Sequence, residues 1–167
     1  MYKLGHNTAL ITNLNKEEKM NTKIINQLIK LYWAELETVQ NYIANSVNLD
    51  GVRAEEIKKA LAVDITAELG HAQALAKRIK EVGGLVPGSY KFKAEQKLLQ
   101  PTANTTDVAA VIKGVIAAEE GAVKMYNQLI KMCDRKDYVT QDLGIRSLAD
   151  EEGHLIEFKG FLKEYTK

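Results

Sequence analysis

Two tetrapeptides, Glu68-Leu-Gly-His71 and Glu151-Glu-Gly-His154, stand 83 residues apart in a chain of 167. In each, a carboxylate and an imidazole lie three residues apart, which places them on one face of a helix. A solitary Glu-x-x-His is most often a solvated pair on an outer face. Here the neighbours turn both pairs inward: Leu61, Ile65, Leu75 and Ile79 flank the first, and Leu148, Leu155, Phe158 and Leu162 flank the second, at helical spacing. An ionisable group on a core face needs a partner or a metal. Any fold for this chain must therefore bury two polar pairs and supply what they lack.

The rest of the sequence repeats in step. Glu35-Leu-Glu-Thr-Val-Gln-Asn-Tyr42 and Glu119-Glu-Gly-Ala-Val-Lys-Met-Tyr126 share a Glu, a Val four residues on and a Tyr seven on. Glu35 to Glu119 and Tyr42 to Tyr126 both span 84 residues, and Glu68 to Glu151 and His71 to His154 both span 83. The chain reads as two copies of one supersecondary unit. Glu120 is the alternative to Glu119, and the tyrosine spacing favours Glu119.

Each copy predicts a helical hairpin. Ile24, Ile25, Leu28, Leu31, Tyr32, Leu36, Val39 and Ile43 form one stripe, ending near Asn48-Leu-Asp-Gly51, where Asp50 can cap the next helix. Ile57, Leu61, Ile65, Leu69, Ala72, Leu75 and Ile79 form a second, ending at Gly83-Gly84. Thr106 or Asp107 can cap a third helix, from Val108 to about Cys133, and a fourth runs from about Tyr138 to Tyr165. The midpoint between Glu35 and Glu68 falls at Asp50-Gly51, and that between Glu119 and Glu151 falls within Asp134–Asp137. Both are predicted turns, so each hairpin sets its Glu beside its Glu-x-x-His, about 24 Å from the turn. Both prolines, Pro87 and Pro101, lie in the stretch from Gly83 to Asp107. That linker can reach about 80 Å, enough to run the length of a bundle. The expected fold is all-α: a four-helix bundle of two antiparallel hairpins joined by a long crossover. Residues 1–21 are read as a loose N-terminal extension and 22–167 as the bundle domain.

Composition narrows the setting. A chain that is 46% hydrophobic supports one core, and Lys+Arg 23 against Asp+Glu 22 gives none of the basic excess of a nucleic-acid binder. One cysteine, Cys133, cannot form an internal disulfide, and no apolar run is long enough for a signal core or a membrane span. The expectation is a cytoplasmic domain with neither nucleic-acid nor membrane partners.

Four Glu and two His then converge at mid-bundle: Glu35, Glu68, His71, Glu119, Glu151 and His154. A Glu from each of two helices plus Glu-x-x-His from each of two others is the ligand set of di-iron and di-manganese carboxylate bundles. Hard oxygen donors with two imidazoles suit two divalent ions.

On these residues the sequence resembles the ferritin-like superfamily, on its bacterioferritin and Dps-like branch. Glu35–Tyr42 is similar to the first-helix motif of bacterioferritins, and Asp137–Asp142 with Ala149–His154 to their fourth-helix segment; the resemblance covers about residues 22–165. It implies that Glu68 and Glu151 bridge the metals, with Glu35 and His71 terminal on one ion and Glu119 and His154 on the other. It implies a ferroxidase that oxidises Fe²⁺ with O₂ or H₂O₂ for iron storage or detoxification, acting as a homo-oligomer between dimer and dodecamer. Leu69 stands where bacterioferritins carry their haem-ligating Met, so no haem is expected. Only 13 residues follow His154, too few for the short fifth helix of the 24-subunit cages. The alternative is a di-manganese or di-iron peroxidase or catalase without mineral storage; without a Cys-x-x-Cys pair it is not a full rubrerythrin. Tyr42, with Tyr126, is a candidate hydrogen-bond donor or radical quencher, against the plainer reading of a core tyrosine. Asp64 and Asp150 are candidates to orient the histidines. Gly70 and Gly153 suggest points of close helix approach.

Overall fold

The computed structural model describes residues 5–165, with side chains described for 18–165. It contains four long helices, α1 (Gly5–Asn48), α2 (Glu55–Glu81), α3 (Val108–Cys133) and α4 (Tyr138–Tyr165), and among the described residues no strand. This is the expected four-helix bundle. Helix α1 starts earlier than its apolar stripe. Between His6 and Asn48 there is neither proline nor glycine to stop a helix, so the expected loose lead is helical from Gly5; residues 1–4 of it lie outside the described residues.

Asp107 caps α3, its carboxylate accepting from the Ala110 N–H at 3.0 Å. Asp50 does not cap α2. A 3₁₀ turn at Val52–Ala54 intervenes, entered through Gly51 at φ 92°, and the Asp50 N–H donates to the Thr105 carbonyl instead. A conformation at that φ suits glycine and little else.

Extensive packing occurs within the hairpins, α1 on α2 and α3 on α4, while α1–α3 and α2–α4 meet more sparsely. The connection between hairpins runs along α1 from Asn21 to Asn45. Asn21 Nδ2 donates to Val82 O near its start, and Asn45 Nδ2 donates to Leu99 O near its finish. Glu37 fastens it: this buried carboxylate accepts the N–H groups of Glu95 and Gln96 at 2.8–2.9 Å. Gln96 in turn donates to Ala34 O and Thr38 Oγ1, and Trp33 packs on Phe92 with ring centroids 5.3 Å apart.

The glycines expected to mark close approach do not. Gly70 and Gly153 have nothing within 4 Å of where a Cβ would stand, because residues just before the inward histidines face away from the core. Close approach occurs instead at Gly84, against Ile79, and at Gly114 on α3, where a Cβ would strike the Leu98 carbonyl.

Apolar residues gather in two clusters rather than one. Leu49, Ile57, Leu61, Ile112 and Phe158 belong to the first; Leu28, Leu31, Leu75, Ile79 and Leu129 belong to the second. Between them lies a layer of buried carboxylates. That layer explains two departures from the stripes: at its level Glu35 and Glu68 hold the inward positions, and Leu69 is turned out (41% exposed), as is Ile43 further along α1 (48%).

Candidate metal centre

Each helix delivers one carboxylate to the layer. Glu35, Glu68, Glu119 and Glu151 are each no more than 2% exposed. The heptad-like spacing that buries Leu28, Leu31 and Tyr42 on α1 puts Glu35 on the same face, and equivalent positions on α3 bury Glu119. Glu120 lies on the surface, 2.9 Å from Lys159. One turn beyond the α2 and α4 carboxylates, His71 and His154 complete the ring.

The six side chains form two overlapping donor groups: Glu35, Glu68, His71 and Glu151, and Glu68, Glu119, Glu151 and His154, each with atoms within 4.8 Å of one another. Glu68 and Glu151 belong to both. Each histidine turns Nδ1 into the layer: His71 Nδ1 lies 3.0 Å from Glu151 and 3.6 Å from Glu68, and His154 Nδ1 lies 3.2 Å from Glu68 and 4.0 Å from Glu151. Each turns Nε2 outward to an aspartate of the other hairpin. Asp150 stands 3.1 Å behind His71, and Asp64 stands 3.7 Å behind His154. An acid behind the second ring nitrogen fixes the ring's orientation.

The tyrosines cross between hairpins. Tyr42 and Tyr126 lie seven residues along from Glu35 and Glu119, about 10 Å of helix rise, too far to serve the carboxylate of their own helix. The Tyr42 hydroxyl donates to Glu119 and the Tyr126 hydroxyl to Glu35. Both rings are fully buried, and burial followed by the adjacent carboxylate pushes both phenols well above their ordinary pKa, so they stay protonated donors.

Electrostatically the layer is overcharged. Burial, then the charge of Glu68, pushes Glu151 up to about 12, and burial with the charge of Glu151 holds Glu35 well above the carboxylate range. Burial also raises Glu68, but the imidazoles of His154 and His71 outweigh it and bring Glu68 down to about 2. Both imidazoles, disfavoured by burial yet held by these carboxylates, rise to about 9.

The centre's need for a further component shows in its orphaned atoms. Among the described residues, the buried side-chain atoms without a hydrogen-bond partner are Glu68 Oε1 and Oε2, Glu119 Oε2, Glu151 Oε1, Nδ1 of His71 and His154, and Asp64 Oδ2 behind His154. A single such atom costs about 1–3 kcal/mol. Six of the seven face one another across the layer. Four carboxylates and two neutral imidazoles match the charge of two divalent cations, and the donor types suit iron or manganese.

The layer opens along the α1–α3 seam into a cavity of about 710 Å³. Glu35, Glu119 and Glu151 form its floor, small residues such as Ala34, Ala118, Gly121 and Ala122 its walls, and residues 91–99 of the crossover part of its rim. Sequence reasoning missed Glu37, Gln96 and Gly114, which hold that rim. Glu37 is two residues from Glu35 and so faces away from the layer, and only the crossover's path gives it a role.

Comparison with known proteins agrees with this architecture. The sequence pattern of the ferritin-like domain matches residues 22–167. The chain is 28% identical to a bacterioferritin of Desulfovibrio desulfuricans over 146 residues, 87% of this chain and 76% of that protein. It is 26% identical to a "DNA protection during starvation protein" of Pyrococcus furiosus, over 94% of this chain and 84% of that one. Among solved structures, a bacterioferritin-related dodecameric thioferritin from Bacteroides fragilis superposes with a TM-score of 0.74 at 22% identity, covering 87% of each chain. The D. desulfuricans bacterioferritin superposes at 0.75 with 24% identity, covering 88% of this chain and 82% of that one. The chain belongs to the ferritin-like domain family.

Proposed function

We propose that the protein is a di-iron ferroxidase, binding two Fe²⁺ at mid-bundle and oxidising them with O₂ or H₂O₂ in iron storage or detoxification. The observation that carries this reading is the pair of donor groups sharing Glu68 and Glu151, with their unsatisfied atoms facing inward. In it Glu68 and Glu151 would serve both ions, Glu35 and His71 would hold one, and Glu119 and His154 would hold the other. A ferrous pair bound there supplies one electron from each iron to the oxidant.

The protein's part is geometric and protonic. Asp150 and Asp64 hold the imidazoles with Nδ1 inward, and metal entry displaces the protons that the crowded carboxylates and histidines otherwise keep. Tyr42 and Tyr126 each hold one oxygen of a terminal carboxylate, leaving the other free to ligate. The cavity over Glu35, Glu119 and Glu151 gives small molecules access. Homo-oligomerisation is part of the proposal, supported by the dodecameric relative. No described helix is long and apolar enough to cross a membrane.

The test is aerobic loading with Fe²⁺, followed by counting iron that co-elutes with the protein on size exclusion. Tens of irons per chain on a large particle establish storage. About two per chain, with turnover of H₂O₂ in the manganese-loaded protein, replace the proposal with a peroxidase or catalase. Absence of any bound iron overturns it.

A further inference from the structure

The cavity above the carboxylate layer is far larger than an ion or an oxidant requires. A water molecule takes about 30 Å³, and pockets for small organic ligands span about 300–1,000 Å³; this one has about 710 Å³. Its lining changes from end to end. Five lysines, Lys30, Lys91, Lys93, Lys97 and Lys124, stand around it, all exposed. Two acids of the outer part, Glu37 and Glu95, oppose the five, and Glu37 is turned to the N–H groups of Glu95 and Gln96. The floor is of another kind, closed by the carboxyl groups of Glu35, Glu119 and Glu151, each buried. Between rim and floor the lining turns small and apolar, with Ala34, Ala117, Ala118, Ala122 and Met125, and Trp33 set to one side.

A cationic rim retards Fe²⁺ and concentrates anions. A buried floor of carboxyl groups offers an anionic group no cationic partner, and desolvation there favours a neutral one. We propose that this cavity is a binding site for a small organic anion, a carboxylate or phosphate on an apolar body, seated with its charge at the lysine rim and its uncharged end toward the carboxylate layer. The site gives the bundle an organic ligand in addition to its metal ions. The placement of the ligand's inner end beside metals rests on the di-metal reading; binding itself does not.

Trp33 is the chain's one tryptophan and lines the cavity, so its fluorescence reports occupancy. Metal-free full-length protein is titrated with cyclohexanecarboxylate, with its uncharged amide and with inorganic phosphate, none of which absorbs where tryptophan is excited. The carboxylate is expected to give a saturable change, and the amide and phosphate to bind at least about tenfold more weakly. Lys93→Glu with Lys97→Glu, at exposed positions that leave the fold intact, is expected to weaken the carboxylate about tenfold. Circular dichroism and Mn²⁺ stoichiometry are expected to stay unchanged in that variant. No saturable change, equal binding of acid and amide, phosphate binding as tightly as the carboxylate, or indifference to the lysine reversal each overturns the proposal. Because the titration uses metal-free protein, failure of the di-metal reading appears separately, as absent Mn²⁺ binding.

Discussion

His71 and His154 occupy equivalent places in the two hairpins, yet the acids behind them come from unrelated positions. Asp64 precedes the α2 carboxylate Glu68 by four residues; its counterpart on α4 is Ser147. Asp150 immediately precedes Glu151; its counterpart on α2 is Ala67. Their settings differ too. The Asp150 side chain is 61% exposed, whereas that of Asp64 is 7% exposed and has an orphaned oxygen. Burial accordingly raises Asp64 to about 6, with the His154 charge pulling the other way. The inward-facing ligands repeat while their supports do not. Two ions bound as proposed would need matching donors from the two hairpins, whereas any nearby acid can orient an imidazole.

This contrast can be broken most severely at the shared positions. Glu68→Ala or Glu151→Ala removes a ligand from both donor groups, and anaerobic calorimetric titration with Fe²⁺ is expected to show affinity at both sites falling by more than about 100-fold. Glu35→Ala and Glu119→Ala each strike one group, so stoichiometry drops from two ions to one in either variant; loss of both ions from one of them denies the division into halves. The unlike supports separate next. Asp64→Asn is expected to weaken the Glu119–His154 half by about 10–100-fold, and Asp150→Asn to weaken the Glu35–His71 half by about tenfold or less, because water can replace an exposed partner. Equal effects refute the asymmetry.

The tyrosines restore the symmetry. Tyr42→Phe and Tyr126→Phe each leave one buried carboxylate oxygen without its donor, and denaturant unfolding of the metal-free protein is expected to show similar losses of about 1–2 kcal/mol. The smallest effect lies away from the layer, at the end where α2 meets α4. There Arg78 pairs with Asp137 at 2.8 Å and with Thr140 at 2.7 Å. Burial tends to raise Asp137, but Thr140 and then Arg78 overcome it and hold the carboxyl below its ordinary value. A depressed carboxyl stabilises the fold above its unfolded pKa, and that contribution is lost as the pH falls below about 4. Arg78→Ala is expected to cost about 1 kcal/mol at pH 7 and progressively less as acid protonates Asp137.

Much of the layer was readable because helical periodicity turns sequence spacing into direction: Glu35, Glu68, His71, Glu119, Glu151 and His154 fall on apolar faces, and the hairpin midpoints set them level. What periodicity omits is rotation and distance between helices. The crossing of Tyr42 to Glu119 and of Tyr126 to Glu35 depends on the α1–α3 separation, which no stripe encodes. Gly70 and Gly153 recur without contact because they face away from the core, whereas Gly114, outside the repeated motifs, meets the crossover backbone. Asp50 has the chemistry of a cap, but the Val52–Ala54 turn moved the helix start beyond its reach. The crossover itself, without periodicity, gave no sign that Glu37 would anchor it or that its lysines would border a cavity.

The division of the apolar core into two clusters has a consequence for how the molecule withstands heat. Without ions, the two apolar ends are joined across a belt of buried ligand atoms without hydrogen-bond partners. Filling that belt adds binding free energy to folding free energy, growing with the logarithm of the free metal concentration. On the proposed di-iron reading, the melting temperature is expected to rise with the free Fe²⁺ concentration, so that thermal unfolding would gauge the iron around the chain.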